Sequence, residues 1–89
     1  MYYTYIIESK TDPTKRYIGY TSDLKKRLNA HNTGNCEYTS KYKPWTINTY
    51  IAFKEKSKAI EFEKYLKSGL GHAFAQKHFY FRFEQNESW

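Results

Sequence analysis

Arg27 and His31 stand four residues apart in LKKRLNAHN, shortly after the triplet Tyr17-Ile18-Gly19, and Glu63 lies far downstream in AIEFEKYLK. With Leu24 at zero on a helical wheel, about 100° per residue puts Leu28 near 40°, Arg27 near 300° and His31 near 340°. Both polar groups therefore border the apolar stripe, whereas Lys25, Lys26 and Asn29 point to water. On the downstream helix, with Ala59 at zero, Phe62 falls at about 300°, Leu66 at about 340° and Glu63 at about 40°, inside the apolar arc. A carboxylate in that arc needs a cation, a metal or several donors, because burying a lone charge is costly. In the first strand Tyr3, Tyr5 and Ile7 share a face, and in the second Tyr17 and Gly19 share one. Glycine in a strand marks close approach by a backbone or a ligand, so Gly19 leaves an open patch beside a phenol.

Each residue taken singly has a plainer role. Arg27 can lay its stem along the core edge, His31 can serve as a cation at a helix C-terminus, and Glu63 can pair with Lys67 at i,i+4. The tyrosines can be ordinary core residues beside a bulge. Taken together they suit phosphoryl chemistry, which needs an activated water, a cation over the developing charge and help for the leaving oxygen. Glu63 is the candidate ligand for one divalent ion acting as a Lewis acid. Arg27 presents a planar fork to phosphate oxygens, and His31 or a tyrosine can pass a proton. One acidic ligand is enough for Mg²⁺ when waters and phosphate complete its octahedron.

The elements that must carry these groups can be read from the pattern. Residues 2–8 (YYTYIIE) are β-branched and aromatic and predict a strand. A turn centred on Asp12-Pro13 follows, and residues 16–20 (RYIGY) predict the second strand of an antiparallel hairpin. Thr21 or Ser22 is the expected cap of a helix that has Asp23 in its first turn, runs to about Asn32 and stops before Gly34. A polar loop leads to a third strand over residues 46–54, with Trp45 as a core anchor just before it. Ser57 is the expected cap of the helix AIEFEKYLK, and GHAFAQKHF predicts a further short helix. FYFRFEQNESW alternates like a strand but has a polar end. The order β-β-α-β-α-α predicts an α+β fold, a small three-stranded antiparallel sheet flanked by helices. Residues 1–89 are expected to form one domain, with a core of about 2–79 and a tail of 80–89.

Composition bounds the partners. The chain has 89 residues, a net charge of +6 and 20% aromatic residues, ten of them Tyr. A basic, aromatic small domain suits a polyanion. Cys36 is the single cysteine, so no internal disulfide can form. The start MYYTYIIES has neither a basic n-region nor a long apolar run, so no signal peptide or membrane span is expected and a cytoplasmic setting is the default.

The residues of this chain resemble the GIY-YIG nuclease superfamily, in particular its small stand-alone bacterial members related to the UvrC amino-terminal domain. The resemblance rests on Tyr17-Ile18-Gly19 as the YIG triplet and on YTSDLKKRLNAHNTG after it. Pro44-Trp45 before the third strand and AIEFEKYLKSG around Glu63 extend it, so that it covers residues 2–79. The first triplet departs from the pattern: Thr4-Tyr5-Ile6 keeps only its tyrosine. The resemblance implies a metal-dependent endonuclease. Tyr5 and Tyr17 would be the two motif tyrosines, Arg27 the phosphate-facing arginine, His31 the helix histidine and Glu63 the metal-binding carboxylate.

The expected reaction is hydrolysis of a DNA phosphodiester with one Mg²⁺ or Mn²⁺ ion on Glu63, Tyr17 or Tyr5 helping to deprotonate the water. Lys41, Lys43, Tyr38 and Tyr42 are the candidate nucleic-acid contacts, the lysines for phosphate and the tyrosines for unpaired bases. Structure-selective or non-specific cutting, in repair or recombination, fits a chain without a base-reading module, and a protein partner could supply specificity. The alternative is a catalytically silent nucleic-acid-binding module with the same basic, aromatic surface. A zinc site from Cys36, His31, His72 and His78 lacks any paired-ligand spacing.

Overall fold

The computed structural model describes residues 1–34 and 37–80. Most of the ambiguous stretch 79–89 therefore lies outside the described residues. The elements in order are β1 (Tyr2–Ser9), β2 (Arg16–Thr21), α1 (Leu24–Asn32), α2 (Glu37–Ser40), β3 (Trp45–Phe53), α3 (Lys56–Lys67) and α4 (Gly69–His78). The strands form one antiparallel sheet in the order β2-β1-β3. This is the α+β arrangement expected from the sequence, with one addition: the single turn α2 inside what reads as a loop. Four residues are too few to show a helical period.

Ser9 ties the β1–β2 turn by accepting from the backbone N–H groups of Thr11 and Asp12. Asp12 in turn accepts from Thr14. In the centre of the sheet, β1 alternates between two cores. Ile6 packs with Leu66, Ala75 and Tyr80, joined by Ile18, Phe62 and Phe74, on the α3/α4 side. Tyr5 and Ile7 pack with Trp45, joined by Tyr17, Leu24, Leu28 and Ile47, on the α1/α2 side. Neighbouring strand residues point to opposite faces, so the helices clothe both faces of the sheet. The β1–β3 register slips between Ile6 and Ile7, pairing Ile6 with Thr49 and Ile7 with Ile47.

Two expected caps differ in the structure. Asp23, not Thr21 or Ser22, caps α1, its carboxylate accepting from Lys26 N at 3.1 Å. Thr21 instead accepts from the N–H of Asp23 and so holds the capping residue in place. Ser57 is inside α3, which starts after Glu55; only the Glu55 carbonyl serves there, accepting from Lys58 and Ala59. The earlier start seats Ala59 against β1, where its carbonyl accepts from the Thr4 hydroxyl at 2.7 Å. At the far end, Ser68 caps α4 through Gly71 N, and the Arg16 guanidinium lies 3.9 Å from the Tyr80 ring, tying the end of the described chain to β2.

The α3–α4 junction depends on Gly71. A Cβ there would lie 1.7 Å from the Tyr65 carbonyl oxygen, whereas one on Gly69 would meet nothing within 4 Å. Gly71→Ala should therefore destabilise the fold by about 3 kcal/mol or more, as forced overpacking against backbone does. Gly69→Ala should stabilise it by about 0.5–1 kcal/mol through the unfolded chain. Urea unfolding of the two variants checks both signs.

Candidate active site

The hairpin sets two phenols side by side. Tyr5 pairs across the strands with Gly19, and Ile7 with Tyr17, so all four residues share the α1 face. A Cβ on Gly19 would lie 2.7 Å from the Tyr5 hydroxyl and 3.2 Å from the Tyr17 ring. Glycine is thus required by the Tyr5 hydroxyl itself. Tyr5 is 1% exposed, while Tyr17 is half-buried.

His31, one turn beyond Arg27 on α1, is fully buried and bonded at both ring nitrogens. Its Nε2 is 3.0 Å from the Tyr5 hydroxyl and its Nδ1 is 2.9 Å from the Thr39 hydroxyl. Its ring also packs on Tyr17 with centroids 4.9 Å apart. Burial, and then the nearby Arg27 charge, push its pKa below the ordinary 6.5. The imidazole is therefore neutral around pH 7, and one of its nitrogens can accept a proton. Arg27 donates from Nε to the Tyr5 oxygen at 3.3 Å. Its exposed side lines a cleft of about 400 Å³ with Lys26, Asp23, Ser22 and Thr21.

Tyr5, Tyr17, Arg27 and His31 thus form one contacting group. Glu63 stands apart from it on α3, across the sheet. Phe62 of α3 packs against Phe53 of β3, with centroids 5.8 Å apart. The Glu63 side chain is only 17% exposed and accepts from Lys67 Nζ at 2.7 Å, the i,i+4 pair expected on that helix. Among the described residues no three His, Cys, Asp or Glu side chains converge. A divalent ion would therefore rest on the one carboxylate, with waters and substrate phosphate as its other ligands, a donor set that suits Mg²⁺. It does not suit a structural zinc centre.

The segment after α1 folds back over the phenols. The Asn32 side chain accepts from Trp45 N and donates to the Trp45 carbonyl, fastening the end of α1 to the start of β3. Trp45 is 2% exposed, the core anchor expected of it, and its indole donates to the Thr39 carbonyl at 2.7 Å. Tyr38 is 51% exposed and its ring bridges Tyr17 (6.2 Å) and Tyr42 (5.8 Å). Lys15 reaches from the hairpin to 5.4 Å above Tyr42, and Lys41 and Lys43 are exposed beside it. Sequence reasoning missed Thr39 and Lys15. Neither has a periodic signal, because a hairpin turn and a four-residue helix bring them to the site.

The comparisons with known proteins agree with this geometry. The family model described as the GIY-YIG catalytic domain matches residues 1–77. The chain belongs to the GIY-YIG family. UPF0213 protein YsiG of Lactococcus lactis is 39% identical over 70 residues, covering 78% of this chain and 65% of that protein. A UPF0213 protein of Streptococcus agalactiae is 41% identical over 66 residues, covering 73% of each. The structure-specific endonuclease subunit SLX1 homolog of Giardia intestinalis is 34% identical over 65 residues, or 68% of this chain, which spans only 18% of that longer protein. The solution structure of a UPF0213 protein from Bacillus halodurans aligns with a TM-score of 0.50 at 30% identity, covering 86% of this chain and 84% of that one. The GIY-YIG fold carries the sheet and helices described above.

The buried neutral histidine makes stability depend on pH. The unfolded chain takes up a proton near the ordinary 6.5, which the folded state refuses until lower pH. His31 therefore leaves stability intact above pH 6.5 and lowers it as pH falls from there through the depressed folded-state pKa. Urea midpoints measured across this range should fall on acidification. A His31→Gln variant, less stable at neutral pH, should lose that part of the slope.

Proposed function

We propose that this chain is a divalent-metal-dependent endonuclease that hydrolyses DNA phosphodiester bonds. The observation that carries this reading is the Arg27–Tyr5–His31–Tyr17 contact group, of which Arg27 also lines the cleft beside Lys26. Arg27 holds a non-bridging phosphate oxygen in the cleft, with Lys26 adding charge. Tyr17, the more exposed phenol, meets the attacking water, while Tyr5 is committed to His31 and Arg27. A new bond forms from the water oxygen to phosphorus as the bond to the leaving sugar oxygen breaks. The water's proton is drawn off through the phenol and the leaving oxygen is protonated from solvent. A Mg²⁺ or Mn²⁺ ion on Glu63, when bound, supplies Lewis-acid stabilisation of the phosphate and lowers the pKa of water. An unassisted phenol, with a pKa near 10, would be a poor base at neutral pH.

Lys41, Lys43, Tyr38 and Tyr42, with Lys15, hold the strand beside the cleft without reading its sequence. The resulting activity is structure-selective or non-specific, in repair or recombination and in the cytoplasm. The SLX1 relatives are named as subunits of a structure-specific endonuclease, which supports a protein partner that brings this domain to its substrate. Residues 1–89 act as one domain. Among the described residues no helix is long and apolar enough to cross a membrane.

The test is cleavage of labelled single-stranded, duplex, flap, fork and four-way-junction DNA with Mg²⁺ or Mn²⁺. Wild type should cut at least one of these only when metal is present. Arg27→Ala, Tyr17→Phe and Glu63→Ala should each lower that rate by about 10²–10³-fold, the scale of a lost charge-stabilising or proton-transfer group. Glu63→Ala should still bind the same DNA, and Tyr38→Ala should weaken binding by about 1–3 kcal/mol if bases stack there. Binding without cutting by wild type under both metals would make the domain a silent nucleic-acid-binding module.

A further inference from the structure

We propose that Thr4 is a positioning residue: its hydroxyl fixes the seat of α3 on the sheet and, through it, the place of the Glu63 carboxylate relative to the phenols. The role in cleavage rests on the nuclease reading above; the seat of α3 does not. Thr4 and Tyr5 are consecutive on β1, where neighbouring side chains point to opposite faces. Tyr5 thus meets His31 of α1, while Thr4 meets α3. β1 is the central strand, and Thr4 pairs with Tyr20 on one side and Ile51 on the other, so its backbone is held from both edges. Its side chain is buried and donates to the Ala59 carbonyl at 2.7 Å. A carbonyl has no proton to give, so the hydroxyl must be the donor.

The same carbonyl also serves Glu63. In an α-helix each carbonyl accepts from the N–H four residues on, which for Ala59 in α3 is that of Glu63. One oxygen therefore receives the Thr4 hydroxyl and the Glu63 backbone on its two lone pairs. A short path runs from the Tyr5 backbone through Thr4 and Ala59 to Glu63. The packing of Phe62 and Leu66 around Ile6 is apolar and has no preferred direction, whereas the hydroxyl bond has a length and an angle. Valine, close to threonine in shape, puts a methyl where the hydroxyl was, and a carbon approaches a carbonyl oxygen only to about 3.3 Å. The 2.7 Å contact must then open by about 0.6 Å, carrying Ala59 and Glu63 away from β1. The carbonyl keeps its bond from Glu63, so no buried polar group is orphaned and the fold survives the exchange.

The experiment compares crystal structures and cleavage kinetics of full-length wild type, Thr4→Val and Thr4→Ser. Relative to Tyr5, the Ala59 carbonyl and the Glu63 backbone should move by about 0.5 Å or more in Thr4→Val and stay in place in Thr4→Ser. On the DNA that wild type cuts, Thr4→Val should lose about 10- to 100-fold in kcat, the scale of a misplacement of this size. That kcat is counted per folded molecule, from urea unfolding of each variant, which removes any loss due to stability alone. KM for DNA should hold, because Arg27 and Tyr38 stand on the other face of the sheet, and Thr4→Ser should restore most of the rate. An unmoved Glu63 in Thr4→Val would overturn the proposal, and so would a moved Glu63 with an unchanged kcat or a loss confined to KM. If wild type cuts nothing, the nuclease reading and the role in cleavage fail together, and the crystal structures still decide whether Thr4 seats α3.

Discussion

An imidazole sealed away from water holds the functional face together. Both nitrogens of a buried histidine must be satisfied, or the desolvation penalty falls on the fold. Here the partners come from β1 and α2, while the ring leans on β2 and is itself carried by α1. Four elements therefore have to arrive in register for one side chain to be buried without loss. The requirement that orders the site also specifies the packing of α1 and α2 on the sheet.

The bridge between those elements is made by short-range devices. Asn32 grips the backbone of Trp45, Ser9 donates to the Tyr42 carbonyl, and Lys10 N donates to the Pro44 carbonyl at 2.9 Å. Each bond is modest alone, but together they close the segment between α1 and β3 against the hairpin. That closure lays Tyr38 on Tyr17 and brings Lys15 above Tyr42. Groups distant in sequence thus form one continuous basic and aromatic margin along the phenols.

Much of this arrangement was legible in the residues. The β-branched and aromatic run of β1, the Asp12-Pro13 turn and RYIGY announced the hairpin, and the wheel angles of Arg27 and His31 announced that they border the apolar stripe of α1. The inward arc of Glu63 was also legible, together with its plain partner Lys67. Four features were not. Asp23 displaced Thr21 and Ser22 as the cap because several adjacent residues had suitable oxygens and only the backbone path chose among them. The turn α2 carried no period to detect. Thr39 gave no sign of touching His31, since that contact depends on how the closed segment folds over the strands. The separation of Glu63 from the phenols was likewise invisible, because a helical wheel gives direction about one axis but not which face of a sheet the helix covers.

That separation gives the sheet a second task. Glu63 is carried by the α3/α4 core and the phenols by the α1/α2 core, and the strands are the common wall between them. The distance from carboxylate to phenol is therefore set by the pitch of that wall, much as a gauge block sets the gap between two jaws. Repacking around Ile6 or Leu66 can then leave every phenol contact intact and still change that distance. Side chains far from the cleft and never in touch with substrate would then count as part of its calibration.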